Sequence, residues 1–383
     1  MKPPYKIAWI SVVGEKGGAE VTMLHTFRWL RPELFASAVF LFRPGPLEAE
    51  LRDIGVEVFR VPTHRMRNVL GVWRAILQIK RIIREQGIRL IHSNGFRPHT
   101  YGGMAARLAR VPEVWTVHSH ERRNLVNRLI WSIPSSQIIA NCPRTSDFFT
   151  SVGCPNQMIW PGVNLKKLES GTARSDLAAR YQLPANARWI SMAARIQRYK
   201  GQSYFLRALA ALKAAHADVH GIVIGGALFE MEKDYVTELK QEAANLGIAD
   251  RVRFTGFIPD QDVAGFLAAS EVVVHPALDE DFGLSVAEAQ ALGRPVVAFA
   301  APGPAAIIVE GETGRLAPVG DQEQLNRALA ATLADGAVIA RMGQAGRIRA
   351  RELFGIETHV RKTEEIYLRC VEGNNENGRP PRS

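Results

Sequence analysis

The chain has 383 residues, 22% charged and 46% hydrophobic, with a formal net charge of +10 and three widely spaced cysteines, Cys142, Cys154 and Cys370. That length holds two or three domains with cores of their own. The cysteines form no metal or redox pattern, and no apolar run approaches the roughly 20 residues that cross a bilayer, so a reducing, cytoplasmic setting is expected. The apolar run 7–13 is too short for a secretory leader, and Glu15 and Lys16 follow where small cleavage-site residues are wanted. Lys and Arg outnumber Asp and Glu by 22 to 11 in residues 1–165, against 26 to 27 in the remainder. A basic half joined to a neutral half suggests an anionic partner: nucleic acid, lipid headgroups or a phosphorylated glycan.

From the N-terminus, short apolar strands are expected at 7–13, 38–42, 56–61, 90–93, 114–118, 138–141 and 158–161, with helices between them at 20–30, 72–85 and 100–109. The pattern repeats with strands at 189–193, 221–224, 252–254, 272–275 and 296–299 and helices at 204–214, 235–246 and 325–334. Alternating strands and helices predict parallel, doubly wound sheets, hence an α/β chain of two Rossmann-like domains, 1–163 and 164–355, facing a central cleft. Pro161–Gly162–Val163–Asn164 reads as the hinge. A helix at 356–372 is expected to pack back on the first domain, and the polar tail 373–383 to be disordered.

Polar residues with chemical potential fall where strands give way to helices. Gly17 and Gly18, before Glu20, let backbone approach a ligand at a helix start, although the full dinucleotide fingerprint is absent. Over 65–84, Arg65, Arg67, Arg74, Lys80, Arg81 and Arg84 interleave with apolar residues including Trp73, and Arg122, Arg123 and Arg128 flank a second apolar stretch. Such an amphipathic, basic surface suits an anionic membrane, or is the solvent side of an ordinary helix. His118 closes a strand on the ligand side; with His120 it gives two histidines but no further metal ligands, so no metal site is expected. Arg195 and Lys200 follow a strand and can neutralise a diphosphate. Gly225 and the Phe257–Ile258 pair can border a nucleoside.

The most informative stretch runs from Asp279 to Gly293. Glu280 lies in a loop and Glu288 on the second turn of the following helix, with the amides of Phe282, Gly283, Leu284 and Ser285 between them at a helix N-terminus that favours an anion. A nucleotide sugar offers a matching series: sugar hydroxyls, a diphosphate and a ribose diol.

These residues resemble the Glu-x7-Glu motif of glycosyltransferase family 4, retaining enzymes of the GT-B fold. Gly-Gly-x-Glu at Gly17, Arg-x4-Lys-Gly at Arg195 and the Pro-Gly-Val-Asn hinge occur in the family's order along essentially the whole chain. The resemblance implies that Gly17 and Gly18 lie beside the donor, that His118 and Glu280 hold the transferred sugar, and that Arg195, Lys200 and the amides near Ser285 stabilise the departing diphosphate. Glu288 would bind the ribose. One departure concerns the Gly-Gly-x-x-Glu stretch of the family, which reads here Pro302–Gly303–Pro304–Ala305–Ala306–Ile307–Ile308 and lacks the carboxylate. The implied activity moves a sugar from a UDP- or GDP-sugar to a glycan or lipid-linked acceptor in cell-envelope polysaccharide or lipopolysaccharide synthesis, without a metal cofactor and at or near the inner membrane face. A sugar-nucleotide epimerase of the same fold and a basic nucleic-acid-binding protein are the other readings. The second lacks helix-turn-helix, zinc or RNA-reading motifs, so nucleic acid is not expected as a partner.

Overall fold

The computed structural model describes residues 2–12, 18–62, 68–118, 125–184, 186–227 and 230–377. The chain divides into two compact units, Met1–Gly162 with Ile356–Ser383, and Val163–Gly355.

The first unit is built on a seven-stranded parallel sheet: β1 Tyr5–Ser11, β2 Phe35–Leu41, β3 Glu57–Arg60, β4 Leu90–Asn94, β5 Glu113–Val117, β6 Gln137–Ala140 and β7 Asn156–Met158. Their spatial order is β3-β2-β1-β4-β5-β6-β7. Helices cover both faces, which explains why the central strands read as unbroken apolar runs. Ile7 and Trp9 of β1 pack with Met23, Leu24 and Phe27 of the helix Gly18–Trp29 and with Ile366, Tyr367 and Val371 of the last helix, Ile356–Asn377. The alternate residues Ala8 and Ile10 face Val72, Ile76 and Ile79 of the helix Val69–Glu85 and Tyr101 of the helix Phe96–Ala109.

The last helix is fastened by polar contacts as well. Glu364, whose side chain is 4% exposed, accepts from the Arg31 backbone N–H at 2.9 Å and from Arg31 Nε at 2.8 Å. Tyr367 Oη lies 2.5 Å from His92 Nδ1, and His92 Nε2 lies 2.6 Å from Thr116 Oγ1, all buried beneath Trp9. The helix continues through Gly373 to Asn377, which corrects the expectation of disorder from 373 onward. A helix already anchored by Tyr367 and Val371 extends at little cost per residue, and this outweighs the roughly 1 kcal/mol penalty of one glycine. Residues 378–383 lie outside the described set.

The second unit carries a six-stranded parallel sheet: β8 Arg188–Ala193, β9 Val219–Ile224, β10 Val252–Gly256, β11 Val272–His275, β12 Val296–Phe299 and β13 Gly314–Ala317, in the order β10-β9-β8-β11-β12-β13. Edge strand β13 was not anticipated, because Gly-Arg-Leu-Ala has no apolar run. Likewise β7 sits at 156–158 rather than 158–161, since Pro161 has no N–H for a ladder. Strand order reverses between β1 and β4 in one sheet and between β8 and β11 in the other. Open α/β sheets bind ligands at the carboxyl ends of strands at such switch points.

Tyr367→Phe removes one partner of a buried hydrogen-bond chain and leaves His92 Nδ1 unsatisfied. A loss of about 1–3 kcal/mol is expected, read as a lower urea midpoint at unchanged slope; an unchanged midpoint would show that the chain does not fasten the last helix.

Candidate functional site

In the second unit, the loops after β8 and β11 are stitched together on either side of the switch point. Gly201 has φ +82°, and a Cβ there would lie 1.9 Å from the Pro276 carbonyl oxygen, so only glycine lets the chains pass. Leu278 N donates to Tyr199 O at 2.7 Å across the same junction. This approach sets Lys200 Nζ 2.6 Å from Glu280 Oε2. Glu280 is further held through its backbone, since its carbonyl accepts from Gly303 N at 2.7 Å. Gly303 packs against the Phe282 backbone, where a Cβ would meet Phe282 O at 2.3 Å. The loop without the family's carboxylate therefore serves here as a backbone buttress for Glu280.

Burial alone would push the Glu280 carboxyl up, but the nearness of His275 and the Lys200 charge outweigh it and hold the group at about 2. Glu288 is the opposite case. Burial raises its carboxyl to about 7, Asp260 adds to the rise, and Lys167, paired to Asp260 at 2.6 Å, offsets part of it. Two carboxylates eight positions apart thus differ in charge state near neutrality.

Between them the helix Leu284–Ala291 starts at Gly283, φ +89°, and its first intrahelical bond runs from Val286 N to Gly283 O at 2.9 Å. The ring of Phe282 is buried edge-on against Phe354, so this residue presents only backbone to a ligand. Arg195 leaves the end of β8 and its guanidinium forms no hydrogen bond or ion pair with another described residue. Arg198, in contrast, is engaged with Glu238 at 2.7 Å. Gly225, φ +123°, passes the Ala194 carbonyl where a Cβ would lie 2.2 Å away. Phe257, 61% exposed, lies over Gly226, while Ile258 is partly buried against the core. The arrangement brings Arg195, Lys200, Glu280, Ser285 and Glu288 to the carboxyl end of one sheet, with Gly225 and Phe257 beside it.

In the first unit, His118 directly follows β5. Its Nε2 lies 2.5 Å from Asn94 Oδ1 at the end of β4, and its carbonyl accepts from Asn141 Nδ2 at 3.2 Å. Burial, helped by the charge His359 would carry, lowers His118 to about 4. The ring is therefore neutral near pH 7, with Nε2–H donating to Asn94 and a lone pair left on Nδ1. Gly18 opens its helix with open space around its Cα. Gly17, His120, Arg65, Arg67, Arg122 and Arg123 lie outside the described residues.

Two neighbours of these groups had not been singled out. His275 ends β11 with Nε2 3.3 Å from Glu280 Oε2 and Nδ1 3.3 Å from Ser285 Oγ. Asn94 ends β4 against His118. A histidine closing an apolar strand drew attention to His118, and the same signal stands at His275.

Known proteins share the sequence pattern and the fold of this chain. Residues 174–349 match the family model described as glycosyl transferases group 1, and residues 16–167 match that of glycosyltransferase family 4. D-inositol 3-phosphate glycosyltransferase 1 of Catenulispora acidiphila is 29% identical, with 98% of each chain covered. The lipopolysaccharide core biosynthesis mannosyltransferase LpcC of Rhizobium leguminosarum bv. viciae is 28% identical over 80% of this chain and 84% of its own. A Streptomyces avermitilis D-inositol 3-phosphate glycosyltransferase is 33% identical, but the chain spans only about half its length, 47%. Among solved structures, Anabaena Alr3699/HepE in complex with UDP superposes with a TM-score of 0.82 at 26% identity, covering 94% of this chain and 99% of that one. Its complex with UDP-glucose gives 0.80 at 26%, with the same coverage. Two Rossmann-like units, two adjoining family matches and a shared fold over nearly the full length identify the chain as a family 4 glycosyltransferase of GT-B fold.

Proposed function

We propose that the enzyme transfers a sugar, with retention, from a UDP- or GDP-sugar to a glycan or lipid-linked acceptor of the cell envelope. The observation that carries this reading is the Lys200–Glu280 pair, formed where the loop that carries Arg195 meets the loop leading into the helix Leu284–Ala291. A UDP-sugar is the favoured donor, because the HepE structures at 26–27% identity hold UDP, and UDP-glucose in one case. The likeness to the LpcC mannosyltransferase supports an envelope glycan as acceptor.

In the proposed reaction the anomeric C–O bond breaks and its electron pair stays with the diphosphate. Arg195, Lys200 and the amides of Leu284 and Ser285 stabilise that growing charge, a task cations and helix dipoles perform without a metal. The acceptor hydroxyl attacks the oxocarbenium-like carbon from the side the diphosphate leaves, and its proton passes to a phosphate oxygen. Glu280, already committed to Lys200, positions a sugar hydroxyl rather than attacking carbon. His118 accepts a hydrogen bond from a sugar hydroxyl at Nδ1, and Glu288 takes the ribose diol.

Calorimetric titration with UDP and GDP, with and without EDTA, tests this reading. One nucleotide is expected to bind equally in both conditions; failure of both at millimolar concentration would remove the proposal's support. Because a diol donates to the ionised carboxylate, affinity should fall by up to about tenfold per pH unit below 7 and level off above it. Glu288→Gln should flatten that dependence, and a dependence unchanged in the variant would take Glu288 out of the site. Glu280→Gln releases Lys200, so UDP should bind at least as tightly while transfer drops about 10²-fold. Weaker UDP binding would contradict the assigned division.

The acceptor side is proposed to meet an anionic bilayer surface. On the helix Val69–Glu85, Val69, Leu70, Trp73 and Leu77 are 59%, 74%, 42% and 49% exposed, beside exposed Arg74, Arg81 and Arg84. Leu129, 62% exposed, adjoins exposed Arg128 on a second helix. Among the described residues no helix is long and apolar enough to cross a membrane. Apolar side chains flanked by cations match the interface of an anionic leaflet. The protein should therefore sediment with phosphatidylglycerol-containing vesicles and much less with pure phosphatidylcholine. Leu70→Asp with Leu77→Asp should abolish this with UDP binding intact. Equal binding to both vesicle types, or to neither, would refute the surface assignment, as would concentration-dependent dimerisation lost in the double variant.

A further inference from the structure

His275 is buried, its side chain 3% exposed, and neither the family resemblance nor the proposed reaction gives it a task. Its two ring nitrogens face two groups of the site. Nδ1 lies 3.3 Å from Ser285 Oγ, and Nε2 lies 3.3 Å from Glu280 Oε2, the oxygen that Lys200 holds at 2.6 Å. In this arrangement Nε2 is a buried polar atom without a hydrogen bond of good geometry. Glu280 Oε2 is the acceptor within reach, and a small rotation of the carboxylate would complete the bond.

On the reading above, Lys200 has two claimants, the Glu280 carboxylate and the donor diphosphate. When the diphosphate draws Lys200, Glu280 loses its strongest contact at the stage when it must hold a sugar hydroxyl. We propose that His275 is a positioning residue that takes over Glu280 as Lys200 turns to the diphosphate. The Ser285 hydroxyl donates to Nδ1, which places the ring proton on Nε2, pointing at Glu280. The same bond ties up the Ser285 hydroxyl and leaves the Ser285 amide for the phosphate. No covalent step involves the imidazole.

This inference rests on the donor site proposed above, and the test separates the two. Affinities for UDP and UDP-glucose are measured by calorimetry on wild type, His275→Leu, His275→Gln and His275→Asn, with UDP-glucose hydrolysis as a rate readout. Glutamine places an amide N–H near the Nε2 position, whereas asparagine reaches only the Nδ1 position. His275→Leu is expected to weaken UDP-glucose about tenfold while changing UDP less than about twofold, because UDP has no sugar for Glu280 to hold. Hydrolysis should fall in parallel, and His275→Gln should recover most of both losses where His275→Asn does not. Equal loss of UDP and UDP-glucose affinity would mean a merely structural role and overturn the proposal. So would an unaltered His275→Leu enzyme, or glutamine and asparagine variants that behave alike. If His275→Leu does not fold, the glutamine–asparagine contrast decides alone. Wild-type protein that binds neither UDP nor GDP overturns the donor-site reading itself, and this inference with it.

Discussion

The second unit's site depends on one close approach, the backbone of Gly201 against the carbonyl of Pro276. It brings a loop leaving β8 to within 2.6 Å of one leaving β11, through Lys200 and Glu280. Strand order alone would leave these loops diverging at the switch point, with an open crevice between them. The glycine lets the crevice be narrowed by backbone, and the ion pair then forms with both partners mostly shielded, 13% and 17% exposed. A pair so shielded gains more from its Coulomb attraction than a surface pair does, and it also pays more desolvation. The lowered Glu280 carboxyl shows which effect wins.

The contrast between Glu280 and Glu288 follows from the same geometry. Both carboxylates are shielded from water, yet one is held at about 2 and the other raised to about 7. Glu280 has cationic and hydrogen-donating neighbours within 3.3 Å, whereas Glu288 faces Asp260, whose charge Lys167 only partly cancels. A carboxylate already neutralised by its surroundings can fix a sugar without adding net charge beside a leaving anion. One kept short of partners retains its hydrogen-bonding capacity for a diol. In the proposed reaction, the two acids of one motif are therefore suited to different ends of the donor.

Much of this was legible in the sequence because it depends on local features. Unbroken apolar strands, glycines at strand–helix junctions and the eight-residue interval from Glu280 to Glu288 each report on short stretches of chain. Strand β13 escaped because a four-residue edge strand with a partly exposed middle needs no apolar run, and its pairing with β12 is decided by tertiary context. The helical end at Asn377 escaped because composition registers Gly373 and the asparagines but not the anchor at Tyr367. His275 and Asn94 escaped for a different reason. Asn94 works through a side chain 24 positions away, and His275 through two groups only five and ten positions on, which reach its ring because the loop after β11 turns back on the strand end.

The first unit supplies a chemically different kind of group. His118 is held near 4, so at neutral pH it offers a lone pair and a fixed ring rather than a positive charge. Its neighbours His92 and His359 are likewise lowered by burial, and His359 is fixed by the Trp160 carbonyl at 2.8 Å and by Thr26 at 3.2 Å. Packing several imidazoles into an apolar interior is tolerable only if they stay neutral, since each proton taken up would face burial and its neighbours' charge. The cations of the candidate site, Arg195 and Lys200, belong instead to the second unit. A neutral imidazole suits the role proposed for His118, because a cationic histidine beside a sugar ring that gains positive charge would oppose the transition state it is meant to serve.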